Sequence, residues 1–227
     1  MRRCRGRLGV AVMNGLLYVL GGFDSSVRLK SAEVFDPVTN CWRDISNMGQ
    51  NRSAPACTAM DGRLYVCGGY NGESCLASCE SYDPNTNSWE PLPNMARARS
   101  AAAAICFAGK LYITGGCDVV QFFNSVEVFD GKNWAEMTPM IMNRCRHGSV
   151  VFQGNLTDFL TDTTFLLGHL WAVGGYNGRF ISSVEQYSFT TGQWTPLAAN
   201  MNVRRGRVGV VTSGSKVYAI GKIKILR

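Results

Sequence analysis

Four times along this chain an apolar run that reads as a buried strand stops on two adjacent glycines. The runs are LLYVLGGF at 16–23, RLYVCGGY at 63–70, KLYITGGC at 110–117 and HLWAVGGY at 169–176. The pairs are Gly21-Gly22, Gly68-Gly69, Gly115-Gly116 and Gly174-Gly175, and a fifth copy at Gly221 has Lys222 in place of the second glycine. First glycines lie 47, 47, 59 and 47 residues apart. A period of this size means an array of supersecondary units stacked on one another. Two successive positions without side chains predict a crowded hub where backbones approach closely and φ turns positive.

Other positions keep the same step. An arginine precedes each unit (Arg5, Arg52, Arg99, Arg144, Arg205), and a Ser-x-Glu follows each double glycine (Ser31/Glu33, Ser78/Glu80, Ser125/Glu127, Ser183/Glu185). An aromatic lies two residues beyond each glutamate (Phe35, Tyr82, Phe129, Tyr187). Then come a tryptophan (Trp42, Trp89, Trp134, Trp194) and a methionine (Met48, Met95, Met140, Met201). In the second unit Asp61-Gly62 reads as a type I′ hairpin, and Pro84-Asn85-Thr86-Asn87 as a second turn. No segment sustains a helical period. Four short antiparallel strands per period predict an all-β propeller, with four four-stranded blades and a partial fifth. The expected repeats are 5–51, 52–98, 99–143, 144–204 with an insertion at 155–168, and an incomplete 205–227. Tryptophans at this spacing are expected to pack between neighbouring blades.

The order Arg, Gly-Gly, Ser-x-Glu-x-aromatic, Trp, Met over residues 5–221 resembles the kelch repeat, and within it the kelch-like adaptors that join a propeller to BTB and BACK regions. Such propellers close with six blades, so the resemblance implies that this chain is a fragment or a truncated isoform. It also implies a non-catalytic, cytoplasmic domain that recognises substrate for a Cul3-type E3 ubiquitin ligase. Cullin 3 would be engaged only through the BTB and BACK regions, which these residues do not include. The alternatives are a kelch scaffold of the cytoskeletal kind without a ligase and, more remotely, a copper-oxidase propeller.

Composition narrows these readings. Of the 23 Lys and Arg residues, seven (Arg2, Arg3, Arg5, Arg7, Lys222, Lys224, Arg227) lie at the two ends, leaving 16 against 16 acidic residues. A neutral body without a basic stripe argues against nucleic acid as partner. No run approaches the ~18 apolar residues of a membrane span, and no membrane partner is expected. The nine cysteines follow no framework spacing, Cys75 and Cys79 make a weak zinc pair, and reduced thiols are expected. With only His147 and His169, a copper cluster is hard to build, and no nucleophile elbow, Walker A loop or H-E-x-x-H occurs. No enzyme activity, metal or cofactor is therefore expected. The sequon at Asn155 matters only in a secreted protein.

Strand counting places the entry to each first strand and the link between second and third strands on one face. That face is the expected partner site. Its candidates are Arg5, Arg52, Arg99, Arg144 and Arg205, the aromatics Phe23, Tyr70, Tyr176 and Phe122, and Ser31, Ser78, Ser125 and Ser183. Arginine forks and aromatics around a concave mouth suit a protein substrate presenting an acidic or phosphorylated peptide segment. The competing reading pairs each arginine with its repeat glutamate. Of the adjacent Phe122 and Phe123, one is expected to pack inward. The insertion NLTDFLTDTTFLLG is apolar for a loop; it would cover an edge, recruit a partner, or represent retained non-coding sequence, the last being favoured.

Overall fold

Short turns set the strand pairing. Asn14-Gly15, Asp61-Gly62 and Ala108-Gly109 all hold positive φ (52 and 76°, 50 and 74°, 50 and 68°), the left-handed pair that a two-residue type I′ hairpin requires. The computed structural model describes residues 1–153 and 168–222. The insertion, apart from Gly168, lies outside the described residues, as do the Asn155 sequon and residues 223–227.

Four four-stranded antiparallel sheets follow one another. The first contains β1 (Gly9–Met13), β2 (Leu16–Leu20), β5 (Ala32–Asp36) and β6 (Cys41–Ile45), with a two-residue ribbon, β3 (Phe23–Asp24) and β4 (Val27–Arg28), between its second and third strands. The second contains β7 (Ala56–Met60), β8 (Arg63–Cys67), β9 (Cys79–Asp83) and β10 (Ser88–Leu92). The third contains β11 (Ala103–Phe107), β12 (Lys110–Thr114), β13 (Val126–Phe129) and β14 (Trp134–Met137). The fourth contains β15 (Gly148–Gln153), β16 (Gly168–Val173), β17 (Val184–Ser188) and β18 (Gln193–Pro196). A fifth sheet has β19 (Gly206–Ser213) and β20 (Lys216–Lys222). This is the all-β, bladed architecture that the repeat predicts.

The apolar core lies between blades. Ala11, Met13, Tyr18 and Val34 of the first blade pack with Leu64, Val66, Tyr82 and Trp89 of the second, and the same arrangement recurs at later joints. Each joint is also bonded. Trp89 donates its indole N–H to the Ser46 carbonyl of the preceding blade at 2.8 Å, Trp134 to Pro93 at 2.9 Å and Trp194 to Thr138 at 2.9 Å.

The double glycines sit at these joints. A Cβ on Gly21, Gly68 or Gly115 would collide with the carbonyl oxygen of the next blade's arginine. The second glycine of each pair donates its N–H to that same carbonyl: Gly22 to Arg52 at 2.8 Å, Gly69 to Arg99 at 2.9 Å, Gly116 to Arg144 at 2.7 Å and Gly175 to Arg205 at 2.8 Å. Close approach and positive φ together exclude a side chain there.

The arginine side chain turns back into its own blade. Arg52 binds Glu80 at 2.8 Å, donates to the carbonyls of Gly68 (2.8 Å) and Ser78 (2.9 Å), and reaches the Ser78 hydroxyl at 2.9 Å. Glu80 uses its other oxygen to accept the N–H of Gly49, in the preceding blade, at 2.6 Å. Arg5–Glu33, Arg99–Glu127 and Arg144–Glu185 repeat the pattern. The Arg52 side chain is 0% exposed, so truncating it strands a buried carboxylate. Arg52→Ala is expected to cost about 3–5 kcal/mol in denaturant unfolding. Arg63→Ala, which loses surface pairs to Asp83 and Glu90, should cost below about 1 kcal/mol.

Candidate functional site

The face chosen by strand counting is where the molecule opens. A cavity of about 450 Å³ lies there, lined by the blade-entry segments and by residues just after the double glycines. Each entry segment has one residue in the left-handed region, two positions after the repeat arginine: Arg7 (φ 53°), Ala54 (52°), Ala101 (54°), Arg146 (54°) and Arg207 (56°). A hoop of backbone hydrogen bonds holds these strained positions in place. Ala54 N–H donates to Arg7 O (2.6 Å), Ala101 to Ala54 (2.8 Å), Arg146 to Ala101 (2.7 Å) and Val208 to Arg146 (3.3 Å). Strain over-determined by surrounding structure is a common property of functional rims.

The left-handed turn sends the repeat arginine into the blade and the residue two places on into the cavity. Arg7, Arg146 and Arg207 are exposed and line the cavity together with Arg28 from β4. No Asp or Glu lines it among the described residues. The crowding is felt: partial burial, then the neighbouring charges of Arg146, Arg207 and Arg28, pull the Arg7 pKa below its usual value. Arg28 lies 4.5 Å from the Phe23 ring centre and 5.3 Å from that of Tyr70, in cation–π range of both. The blades that carry Ala54 and Ala101 instead form a neutral wall with Ser53, Tyr70 and Ser100. The mouth is therefore cationic on one side and neutral on the other.

The residues expected from sequence divide into two groups. Arg5, Arg52, Arg99 and Arg144 have side chains 0–1% exposed and spend their donors inside their blades, so no surface partner can reach them. The expectation that they grip a partner is corrected: the glutamate pairing takes them. Arg205 is half-buried and donates to Gly221 O at 3.0 Å. The hydroxyls of Ser31, Ser78, Ser125 and Ser183 accept from their blades' arginines at 2.9–3.0 Å, which makes them part of the same internal joint. Of the aromatics, Tyr70 lines the cavity. Tyr176 packs edge-on against Phe122 at 5.5 Å, both half-buried on the rim, whereas Phe123 is buried. Arg7, Arg28, Arg146 and Arg207 were not among the individual residues expected from sequence, although Arg28 lies in the DSSVRLK loop at 24–30, one of those expected to set specificity. Three of them were marked by a doublet, RGR at 5–7, RCR at 144–146 and RGR at 205–207, in which the first arginine turns in and the second out.

Two further groups line this cavity. Cys117 is half-buried, with its sulfur 3.9 Å from the Ser100 hydroxyl. A hydrogen bond from the Cys145 thiol, supplemented by Ser100 and the charge of Arg146, pulls the Cys117 pKa down to about 6. His147 is buried, its Nε2 2.8 Å from the Thr114 hydroxyl and its Nδ1 without a partner. Burial, with a smaller push from Arg144, lowers its pKa to about 3.

Both groups give pH-dependent outcomes. Alkylation of Cys117 by iodoacetamide should speed up as pH rises through about 6 and level off above it. An ordinary thiol would instead titrate near about 8.5. Peptide mapping of the alkylated protein reads the rate. The unfolded His147 ring titrates near about 6.5, so the unfolded chain binds the extra proton between that value and the folded one, and stability falls as pH drops through this window. From pH 7 to pH 4 the loss is about 3 kcal/mol. His147→Ala, matching Ala102 at the same repeat position, should remove that slope in denaturant melts.

Comparison with known proteins agrees with the architecture. The family model for the KLHDC2/KLHL20/DRC7 Kelch-repeats domain matches residues 2–160 and 52–221. Human Kelch-like protein 6 is 36% identical over 55 residues, a stretch that covers 24% of this chain and 9% of that protein. The chain thus spans a small part of that relative's length. The solved structure of YjhT superposes with a TM-score of 0.75 at 17% identity, over 96% of this chain and 72% of that one, a likeness of fold. With the family model covering nearly all of its length, this chain belongs to the kelch-repeat family.

Proposed function

We infer that this chain is a non-catalytic protein-interaction propeller whose mouth captures an acidic or phosphorylated peptide segment. The observation that carries the reading is the arc of Arg7, Arg28, Arg146 and Arg207 around a cavity lined by no carboxylate among the described residues. Guanidinium groups crowded with no carboxylate in the lining repel one another, and an anionic side chain entering between them relieves that repulsion. The neutral wall with Tyr70 suits an aromatic or small apolar residue next to the acidic one. The bonded hoop keeps the site preformed, so little ordering entropy is lost on binding.

In the fuller reading, this capture serves substrate recognition by a Cul3-type ubiquitin ligase adaptor in the cytoplasm. Membership of the kelch-repeat family and the local match to Kelch-like protein 6 support that context. We propose kelch-like protein 18 as the member of this group that the chain resembles, on the stretches RLGVAVMNGLLYVLGG, RLYVCGGYNG and NRCRHGS. BTB and BACK regions would make the cullin contact.

The test is fluorescence polarisation with an acidic peptide set, its phosphorylated and neutral counterparts, and a single-stranded oligonucleotide. Acidic peptides should bind with an affinity that falls as salt rises. Arg146→Glu should weaken them by about tenfold or more, because it replaces attraction with repulsion. Equal binding of neutral peptides, or tighter binding of the oligonucleotide, would overturn the reading.

A further inference from the structure

We propose that Cys117 and Cys145 form a peroxide-responsive dithiol at the mouth, able to close into a disulfide across the joint between the third and fourth blades. The inference goes beyond the peptide-capture reading and does not depend on it.

The backbone sets the pair side by side. Gly116 N–H donates to Arg144 O at 2.7 Å, so the next residue on each strand, Cys117 and Cys145, adjoins the other across the joint. Each also acts on the other's proton: Cys145 lowers the Cys117 pKa, and Cys117 raises that of Cys145. The repeat shows how unusual the pairing is. The same two positions are Phe23 and Ser53 at the first joint, Tyr70 and Ser100 at the second, and Tyr176 and Gly206 at the fourth. An aromatic beside a small residue is the structural solution, and only at the third joint are both positions thiols.

Access and charge assign the roles. Cys117 faces the cavity beside Arg146, whereas Cys145 lies behind it at 1% exposure. A thiolate next to a guanidinium and open to solvent is the attacking sulfur. The sheltered thiol in contact with it is the resolving one. The chain contains its own counter-example. Cys67 and Cys79 face each other directly across β8 and β9, but both are 1% exposed and burial raises the Cys67 pKa well above the usual value. Proximity alone does not make a reactive pair, since the oxidant must reach a thiolate.

The chemistry balances with a hydroperoxide as oxidant. The Cys117 thiolate attacks one peroxide oxygen, an S–O bond forms as the O–O bond breaks, and hydroxide leaves. The Cys145 sulfur then attacks Cys117, an S–S bond forms as the S–O bond breaks, and the departing hydroxide takes the Cys145 proton as water. Two thiols lose two electrons and two protons, and hydrogen peroxide becomes two waters.

The test treats the native chain with hydrogen peroxide, blocks free thiols, digests without reduction and maps the cysteines by mass spectrometry. A Cys117–Cys145 linkage should dominate, with Cys67 and Cys79 still blocked as free thiols. In Cys145→Ser the oxidation should stop at a sulfenic acid on Cys117, trapped by dimedone. In Cys117→Ser peroxide should leave Cys145 reduced. The wild-type map needs no variant to fold. Linkage of Cys117 to Cys75, whose sulfur lies 3.7 Å from the Cys117 carbonyl, would overturn the assignment of the resolving thiol. Oxidation of Cys117 no faster than that of Cys67 would overturn the proposal as a whole.

Discussion

The buried arginine–glutamate pair is the constraint on which the rest of the structure depends. Taken alone, a desolvated ion pair is a poor source of stability, since removing two charges from water costs roughly what their attraction returns. Its value here is positional. Arg52 closes its own blade through Gly68, Ser78 and Glu80, while Glu80 reaches back to Gly49 in the blade before. The arginine's own carbonyl accepts from Gly22 of that earlier blade. One residue therefore fixes the register within a sheet and the spacing between two sheets. A one-residue slip would put a guanidinium into the core without its carboxylate, and that penalty excludes competing registers.

The mouth follows from this anchoring. With the first arginine drawn inward, the chain must reverse within two residues to enter the next inner strand. It does so through a left-handed residue that is not glycine in any of the five blades. The side chain at that residue is pushed into the axial opening. Where it is alanine, as at Ala54 and Ala101, the wall is smooth; where it is arginine, positive charge accumulates faster than solvent can screen it. The depressed pKa of Arg7, lowered first by burial and then by Arg146, Arg207 and Arg28, carries a trace of that accumulation. Burial of one arginine and exposure of the other thus arise from the same turn.

Most of the fold was legible in the sequence because its markers recur. Gly-Gly, Ser-x-Glu, Trp and Met keep step through four units, and each turns out to occupy an interblade joint. The face on which the cavity opens was legible as well, since strand counting fixes which loops share an end. The mouth arginines were not, for two physical reasons. Arg7 sits among the first residues, so grouping charge by position along the chain assigned it to a terminus, although folding carries it to the axis beside Arg207. Arg28 belongs to a loop whose reach across Tyr70 depends on the β3–β4 ribbon, which no periodicity announces. The repeat arginines misled in the opposite sense, because recurrence at every blade reflected a shared internal partner.

That distinction has a general physical basis in repeat arrays. A position whose environment is copied at every joint must satisfy the same packing and hydrogen-bonding demand each time, so its residue type recurs. Departures are tolerated only where that demand is weak, which is where the side chain faces solvent or a cavity. The split between Arg7, Arg146 and Arg207 on one side and Ala54 and Ala101 on the other, and Cys117 against three aromatics, are departures of this kind, and both line this opening. His147 departs in the same segment, where other blades have Leu8, Pro55, Ala102 and Val208, and its unpartnered Nδ1 marks a polar demand that the blade itself does not meet. Mapping the asymmetry of a symmetric fold therefore locates its chemistry more directly than mapping the symmetry does. In this chain the departures at Arg146, His147 and Cys117 all line the axial mouth.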